Sequence, residues 1–211
     1  MKQTTKLLLA GALAACSLSA NATLITASEN FSPVRVVDSG TGTSSLNFGV
    51  NGIISDVNVF VDFTKCDSFI SSTGACTASG YSYNSEIVFS LTSAQGTNIS
   101  LVSAGTYGGQ TPGARVDVLF DDSALSAVGG STLLSGSFSP VGSLADFNGE
   151  DIFGDWTLTF TDTVGSDPLS VNGWGLEIMT GNAPQVPEPM SLALLGLGLA
   201  GLGISRKKKR T

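Results

Sequence analysis

Between residues 49 and 180 apolar side chains recur at every second position, a period that suits a half-buried β-strand and not a helix. Val57, Val59 and Val61 take one face while Asn58, Phe60 and Asp62 take the other. The same parity returns at Ile87, Phe89 and Leu91, at Ile99 and Leu101, and at Val116, Val118 and Phe120. It is cleanest where Trp156, Leu158 and Phe160 alternate with Thr157, Thr159 and Thr161, and where Trp174, Leu176 and Ile178 alternate with Gly175 and Glu177. Gly, Asn, Asp and Ser turns separate the runs. Strands with one apolar face each must bury those faces against a second sheet, so the expected fold class is all-β, a two-sheet sandwich. About 130 residues suffice for one such core.

The side-chain inventory narrows the chemistry. The chain has no His, which removes His-dependent general bases, His-ligated metals and Ser-His-Asp triads. All 17 Asp and Glu lie between Glu29 and Glu188, where Arg35, Lys65 and Arg115 supply the only positive side chains. So acidic a body is a poor partner for nucleic acid, whose phosphates need the opposite sign. A Ser-Lys dyad would have to use Lys65, expected at a strand edge beside a flexible loop with nothing to make it nucleophilic. A paired-carboxylate glycosidase needs one selected pair of acids, and no motif selects one. No catalytic residue is therefore assigned, and the chain is read as a non-enzyme.

The two ends read as addresses. Residues 1–22 form an export signal: Lys2 and Lys6, an apolar run from Leu7 to Ala15, and a small-x-small cleavage site at Ala20-Asn21-Ala22. Within it, Leu13-Ala14-Ala15-Cys16 resembles a lipobox, in which Cys16 would be lipidated; otherwise Cys16 leaves with the signal. Residues 23–48 read as an N-terminal extension, 49–180 as the sandwich and 181–186 as a linker. From 187 to 211 the chain carries Pro187-Glu188-Pro189, the apolar run Met190 to Ile204, and the closing basic cluster Arg206 to Arg210. As a helix, 190–204 spans only about 22 Å of a ~30 Å hydrocarbon core, a short transmembrane helix with its C-terminus cytoplasmic. Gly196-Leu197-Gly198-Leu199-Ala200-Gly201 is no dinucleotide fingerprint, since neither a preceding strand nor a following acid accompanies it.

This tail resembles the PEP-CTERM sorting signal of Gram-negative bacteria. The resemblance implies an exosortase as processing partner, transient inner-membrane insertion, and delivery of the product to the cell surface or the medium. Pro187, Glu188 and Pro189 match the motif. The alternative is a plain anchor that is never processed.

A second resemblance covers about residues 49–179. Ile54 to Thr64, Ser85 to Leu91 and Phe120 to Ala124 look like successive strands of the proprotein convertase P domain (P/Homo B domain), and Gly142 to Asp151, Gly154 to Thr159 and Trp174 to Leu176 continue the match. Its most specific stretch is Phe147-Asn148-Gly149-Glu150-Asp151 followed by Gly154-Asp155-Trp156-Thr157-Leu158. The resemblance implies a jelly-roll β-sandwich of the galactose-binding-like kind. This chain departs from the pattern in four ways: it has no protease domain, Lys65 stands where the family often has a His, Glu86 stands where it has an Asp, and the Cys66 to Cys76 loop is inserted between them.

Three features of the body remain. Cys66 and Cys76 bracket a polar insertion, and in an oxidising compartment a disulfide is favoured over a metal site that would lack a second ligand pair. Asp121, Asp122, Asp146, Glu150 and Asp151 lie in turns, where hard oxygen ligands suit Ca²⁺; the bland alternative is that such acids cap turns through backbone N–H groups. No cofactor is required on this reading. Tyr81, Tyr83, Tyr107 and Phe69, in or beside Gly/Ser-rich segments, offer rings that could stack on sugars, against a plain strand-edge role for Tyr81 and Tyr83. The expected function is that of a non-catalytic surface or extracellular-matrix module, associated with exopolysaccharide or the envelope. The alternatives are a carbohydrate-binding module, or an accessory domain of a subtilisin-like serine protease system.

Overall fold

The computed structural model describes residues 22–181. Ala22 begins that range; Cys16, Ala20, the motif Pro187, Glu188 and Pro189, and the expected span 190–204 lie outside the described residues. Eleven strands are found: β1 (Thr23–Val37), β2 (Gly40–Phe48), β3 (Ile53–Lys65), β4 (Tyr81–Tyr83), β5 (Ile87–Thr92), β6 (Asn98–Val102), β7 (Gln110–Pro112), β8 (Ala114–Phe120), β9 (Gly136–Phe138), β10 (Gly154–Asp162) and β11 (Leu169–Gly181). Two short 3₁₀ turns, Asn84–Glu86 and Leu144–Phe147, are the helical elements among the described residues. No helix there is long and apolar enough to cross a membrane.

One sheet has the order β1-β11-β3-β8-β9 and the other the order β2-β10-β5-β6, with β4-β7 as a separate pair. Leaving out the short β4, β7 and β9, the pairings β1·β11, β2·β10, β3·β8 and β5·β6 are nested and antiparallel. That is the winding of a jelly roll, in which the chain alternates between sheets and its outermost strands pair with each other. Thr23 accordingly lies opposite Thr180, at the pole where the chain enters and leaves the sandwich.

The parity read from the sequence holds strand by strand. Val57, Val59, Val61 and Phe63 of β3, Ile87, Phe89 and Leu91 of β5, Trp156, Leu158 and Phe160 of β10, and Trp174, Leu176 and Ile178 of β11 are all buried between the sheets. Phe63 meets Phe89 across the gap, with ring centroids 5.1 Å apart. Trp156 packs edge-on against Phe147 at 5.0 Å, and its indole N–H donates to the Ile152 carbonyl at 3.1 Å. Trp174 donates to Ser44 Oγ at 2.9 Å, and Ser44 donates to Glu29 at 2.7 Å, so one polar chain joins β11, β2 and β1.

One boundary needs correction. Residues 23–48, read as an extension ahead of the sandwich, are its two outer strands β1 and β2. Each stands at the end of its sheet, so only one flank is paired and much of it faces water. Ile25, Ala27, Phe31, Val37 and Leu46 still pack on the core, but the register of β1 against β11 shifts between Asn30 and Arg35 and breaks the alternation.

Candidate functional site

Buried polar side chains concentrate at the pole opposite Thr23 and Gly181, where β3 ends and β11 begins. Lys65 is the last residue of β3 and continues the inward row of Val57, Val59, Val61 and Phe63 by the same two-residue step. Asp162 ends β10 and continues the inward row of Trp156, Leu158 and Phe160 from the facing sheet. The two rows close on each other. Lys65 Nζ lies 2.9 Å from Asp162 Oδ2 and 2.9 Å from Glu86 Oε2, and it also donates to the Asp167 carbonyl. The side chains of Lys65 and Asp162 are wholly buried, and that of Glu86 keeps 11% of its exposure. Burial holds the Asp162 carboxyl above the usual carboxylate range, and the hydrogen bond and charge of Lys65 oppose that shift without cancelling it.

Lys65 therefore does not sit at a strand edge. Strand β3 runs between β11 and β8, with Leu169 and Ala114 as the register neighbours of Lys65. The segment after β10 roofs the cation: Cys66 N–H donates to the Pro168 carbonyl at 3.1 Å, and the Asp167 carboxylate accepts from Tyr83 N–H at 2.8 Å.

The insertion after Lys65 is held down, not free. Cys66 and Cys76 form a disulfide, with Cα atoms 5.5 Å apart. Closing so short a loop stabilises the fold by roughly 3 kcal/mol in the chain-entropy account. Thr64 Oγ1 donates to the Gly74 carbonyl at 2.7 Å, and Arg115 pairs with Asp62 while donating to the Thr73 carbonyl at 3.2 Å. Asn172 donates to both Asp62 and Thr64, at 2.8 and 3.0 Å. Two glycines permit this closeness. A Cβ at Gly113 would stand 2.8 Å from Cys76 Sγ, and Gly74, at φ +83°, faces the Asn172 amide where a Cβ would come within 2.2 Å.

The five acids grouped as calcium ligands are dispersed among turns. Asp121 accepts from Ser123 N–H and Oγ. Asp122 accepts from Ser143 Oγ, Leu144 N–H and Ala145 N–H, tying two loops together. Asp151 accepts from Gly52 and Phe153 N–H, Glu150 is bonded to Thr97 Oγ1, and Asp146 is exposed. Among the described residues no three His, Cys, Asp or Glu side chains come together as a metal site. Backbone donors in turns compete for the same carboxylate oxygens that an ion would need. Asp121 and Asp122 do make themselves felt at Asp56, whose carboxyl is pushed up first by partial burial and then by their negative charges.

The aromatic candidates divide. Tyr107 is buried in the core, and burial pushes its phenol up, which removes it as a stacking surface. Tyr81 and Tyr83 are exposed on one face of β4, with Ser82 buried between them, and β4 pairs with β7 so that Tyr81 stands opposite Pro112. Phe69, in the disulfide loop, is the most exposed of the four. It borders a cavity of about 500 Å³ lined also by Val36, Ile70 and Pro168.

Sequence comparison places one segment. Residues 185–207 match the PEP-CTERM protein-sorting motif. No curated protein matches the chain. Among solved structures, the serine protease of Aeromonas sobria bound to its chaperone is similar over 77% of this chain and 28% of that one, at 15% identity and a TM-score of 0.45. The same protease alone gives 14% identity, 76% and 27% coverage and a TM-score of 0.45. A structure of the Gx strain of infectious bursal disease virus gives 10% identity, 80% and 33% coverage and 0.34. The chain thus spans little more than a quarter of the protease it resembles.

Proposed function

We propose that the protein is a non-catalytic module of the cell surface or extracellular matrix, a jelly-roll body of P-domain type that an exosortase sorts through its C-terminal tail. The PEP-CTERM match at 185–207 carries this reading, since the motif implies exosortase processing and sorting to the surface. The body suits an exterior role: it is stapled by a disulfide, and the acids of its turns are engaged by backbone and hydroxyl donors. The test follows the C-terminus by mass spectrometry in cells that have the exosortase and in cells that lack it. Cleavage near Pro187 is expected only where the enzyme is present, and Glu188→Ala is expected to leave the chain uncut in the membrane fraction. An intact tail on the native surface product would sink the reading.

The exposure of Tyr81 and Tyr83 on one face of β4 supports a second reading, in which the module binds exopolysaccharide by ring stacking. Replacing both by Ala is expected to weaken binding to the host's own polysaccharide about tenfold, since each aromatic contact contributes about 0.5–1.5 kcal/mol. Unchanged binding, or none by the unaltered chain, discards it.

A further inference from the structure

The cluster of Lys65, Glu86 and Asp162 holds an amine and a carboxyl in contact, out of water, with a second carboxylate against the same amine. We propose that this cluster is the site of a self-formed isopeptide bond between Lys65 Nζ and Asp162 Cγ, a covalent strut from one sheet of the sandwich to the other. Lys65 belongs to β3 of the five-stranded sheet and Asp162 to β10 of the four-stranded sheet. No backbone hydrogen-bond ladder connects those two strands.

The roles follow from burial and contact. Asp162 is the electrophile: its side chain is wholly buried, and Lys65 Nζ lies 2.9 Å from Oδ2. The other carboxyl oxygen has only a long contact, 3.5 Å, from Val164 N–H. Glu86 is the proton carrier, because it touches the same nitrogen at 2.9 Å and retains a narrow opening to solvent through which water can depart. Burial also favours the protonated form of the Asp162 carboxyl, from which oxygen leaves more readily than from a carboxylate.

The step balances without an added reagent. Glu86 takes one proton from the Lys65 ammonium and passes it to an oxygen of the Asp162 carboxylate, and the freed lone pair attacks Asp162 Cγ, forming the N–C bond. A second proton passes from nitrogen through Glu86 to the departing oxygen, the Cγ–O bond breaks, and one water leaves. Starting from ammonium and carboxylate, the product is a neutral amide that keeps one hydrogen on nitrogen, and no atom changes oxidation state. Bringing the partners into contact makes an otherwise bimolecular condensation unimolecular, which lowers its barrier when the alignment is good. The product also replaces buried charges by a polar, uncharged group, which lowers the desolvation cost of the site.

The test is peptide mapping by mass spectrometry of the full chain recovered from its producing cells, after reduction and alkylation of the Cys66–Cys76 bridge. The expected result is a branched peptide joining Lys65 to Asp162, one water lighter than the sum of its parts, and absent from Lys65→Arg and Asp162→Ala. Glu86→Gln, which keeps the side-chain shape, is expected to slow link formation by at least about a hundredfold in a time course after synthesis. Separate Lys65 and Asp162 peptides in the native chain overturn the proposal, as does a branch at Glu86. Undiminished linking in Glu86→Gln overturns the assignment of the proton carrier. Should a variant fail to accumulate, the map of the unaltered chain decides alone.

Discussion

In the chain whose Lys65 and Asp162 are not yet linked, replacing Lys65 by Met is expected to lower the unfolding free energy by about 3–5 kcal/mol, the usual consequence of removing one partner from a buried ion pair. The loss has little to do with the side chain's volume, which Met nearly restores. It arises because Asp162 and Glu86 would face each other in the interior with no cation between them, and the Asp167 carbonyl would lose its Lys65 donor. Urea denaturation checks it against parent protein taken before the link forms, with a lower midpoint and an unchanged slope as the expected signature. Adding Glu86→Gln to Lys65→Met is expected to recover part of the loss, since one of the two stranded carboxylates is then neutral. A Lys65→Met protein as stable as the parent would show that the cluster holds nothing together.

The second large effect is expected at Trp156. Truncation to Ala removes the largest side chain from the inward row of β10, together with its edge contact on Phe147, and is expected to cost about 3–5 kcal/mol. Trp156→Phe keeps most of the packing but leaves the Ile152 carbonyl without its indole donor, which costs about 1–3 kcal/mol for a buried acceptor. The same denaturation experiment separates the two, and the near-ultraviolet circular dichroism of the Ala variant reports whether the core remains ordered. Against a total stability of about 5–15 kcal/mol for a domain, either the Lys65 or the Trp156 truncation removes a large fraction of what keeps the sandwich folded.

Much of the fold is written in parity. Away from the register shifts of β11 against β3, the inner strands show a two-residue apolar period, because a side chain pointing between the sheets meets only other side chains. The outer strands β1 and β2 escape that reading: one flank faces water, so Thr, Ser, Glu and Asn are tolerated along both faces. The same rule contained a signal for the candidate site that composition obscured. Carrying the inward row of β3 two residues past Phe63 reaches Lys65, and carrying that of β10 past Phe160 reaches Asp162, so a charge at the end of each row predicts a buried pair. The expectation of Lys65 at a strand edge beside a flexible loop instead puts it outside. The dispersal of the acidic turns was not legible, because proximity in sequence does not reveal which backbone N–H groups a carboxylate will accept. Nor did the ring of Tyr107 announce its burial, since its Gly-rich surroundings resemble those of exposed Tyr81.

The winding that pairs the first strand with the last has a mechanical consequence. Thr23 and Gly181 gather at one pole, and the disulfide loop with Tyr81 and Tyr83 lies toward the other, a strand length of about 40 Å away. A body tethered through Gly181 and gripped at its far pole would transmit tension along the axis of β11. That strand is flanked on both sides by antiparallel partners, so its rungs would share the load in shear and would not open one after another like a zip.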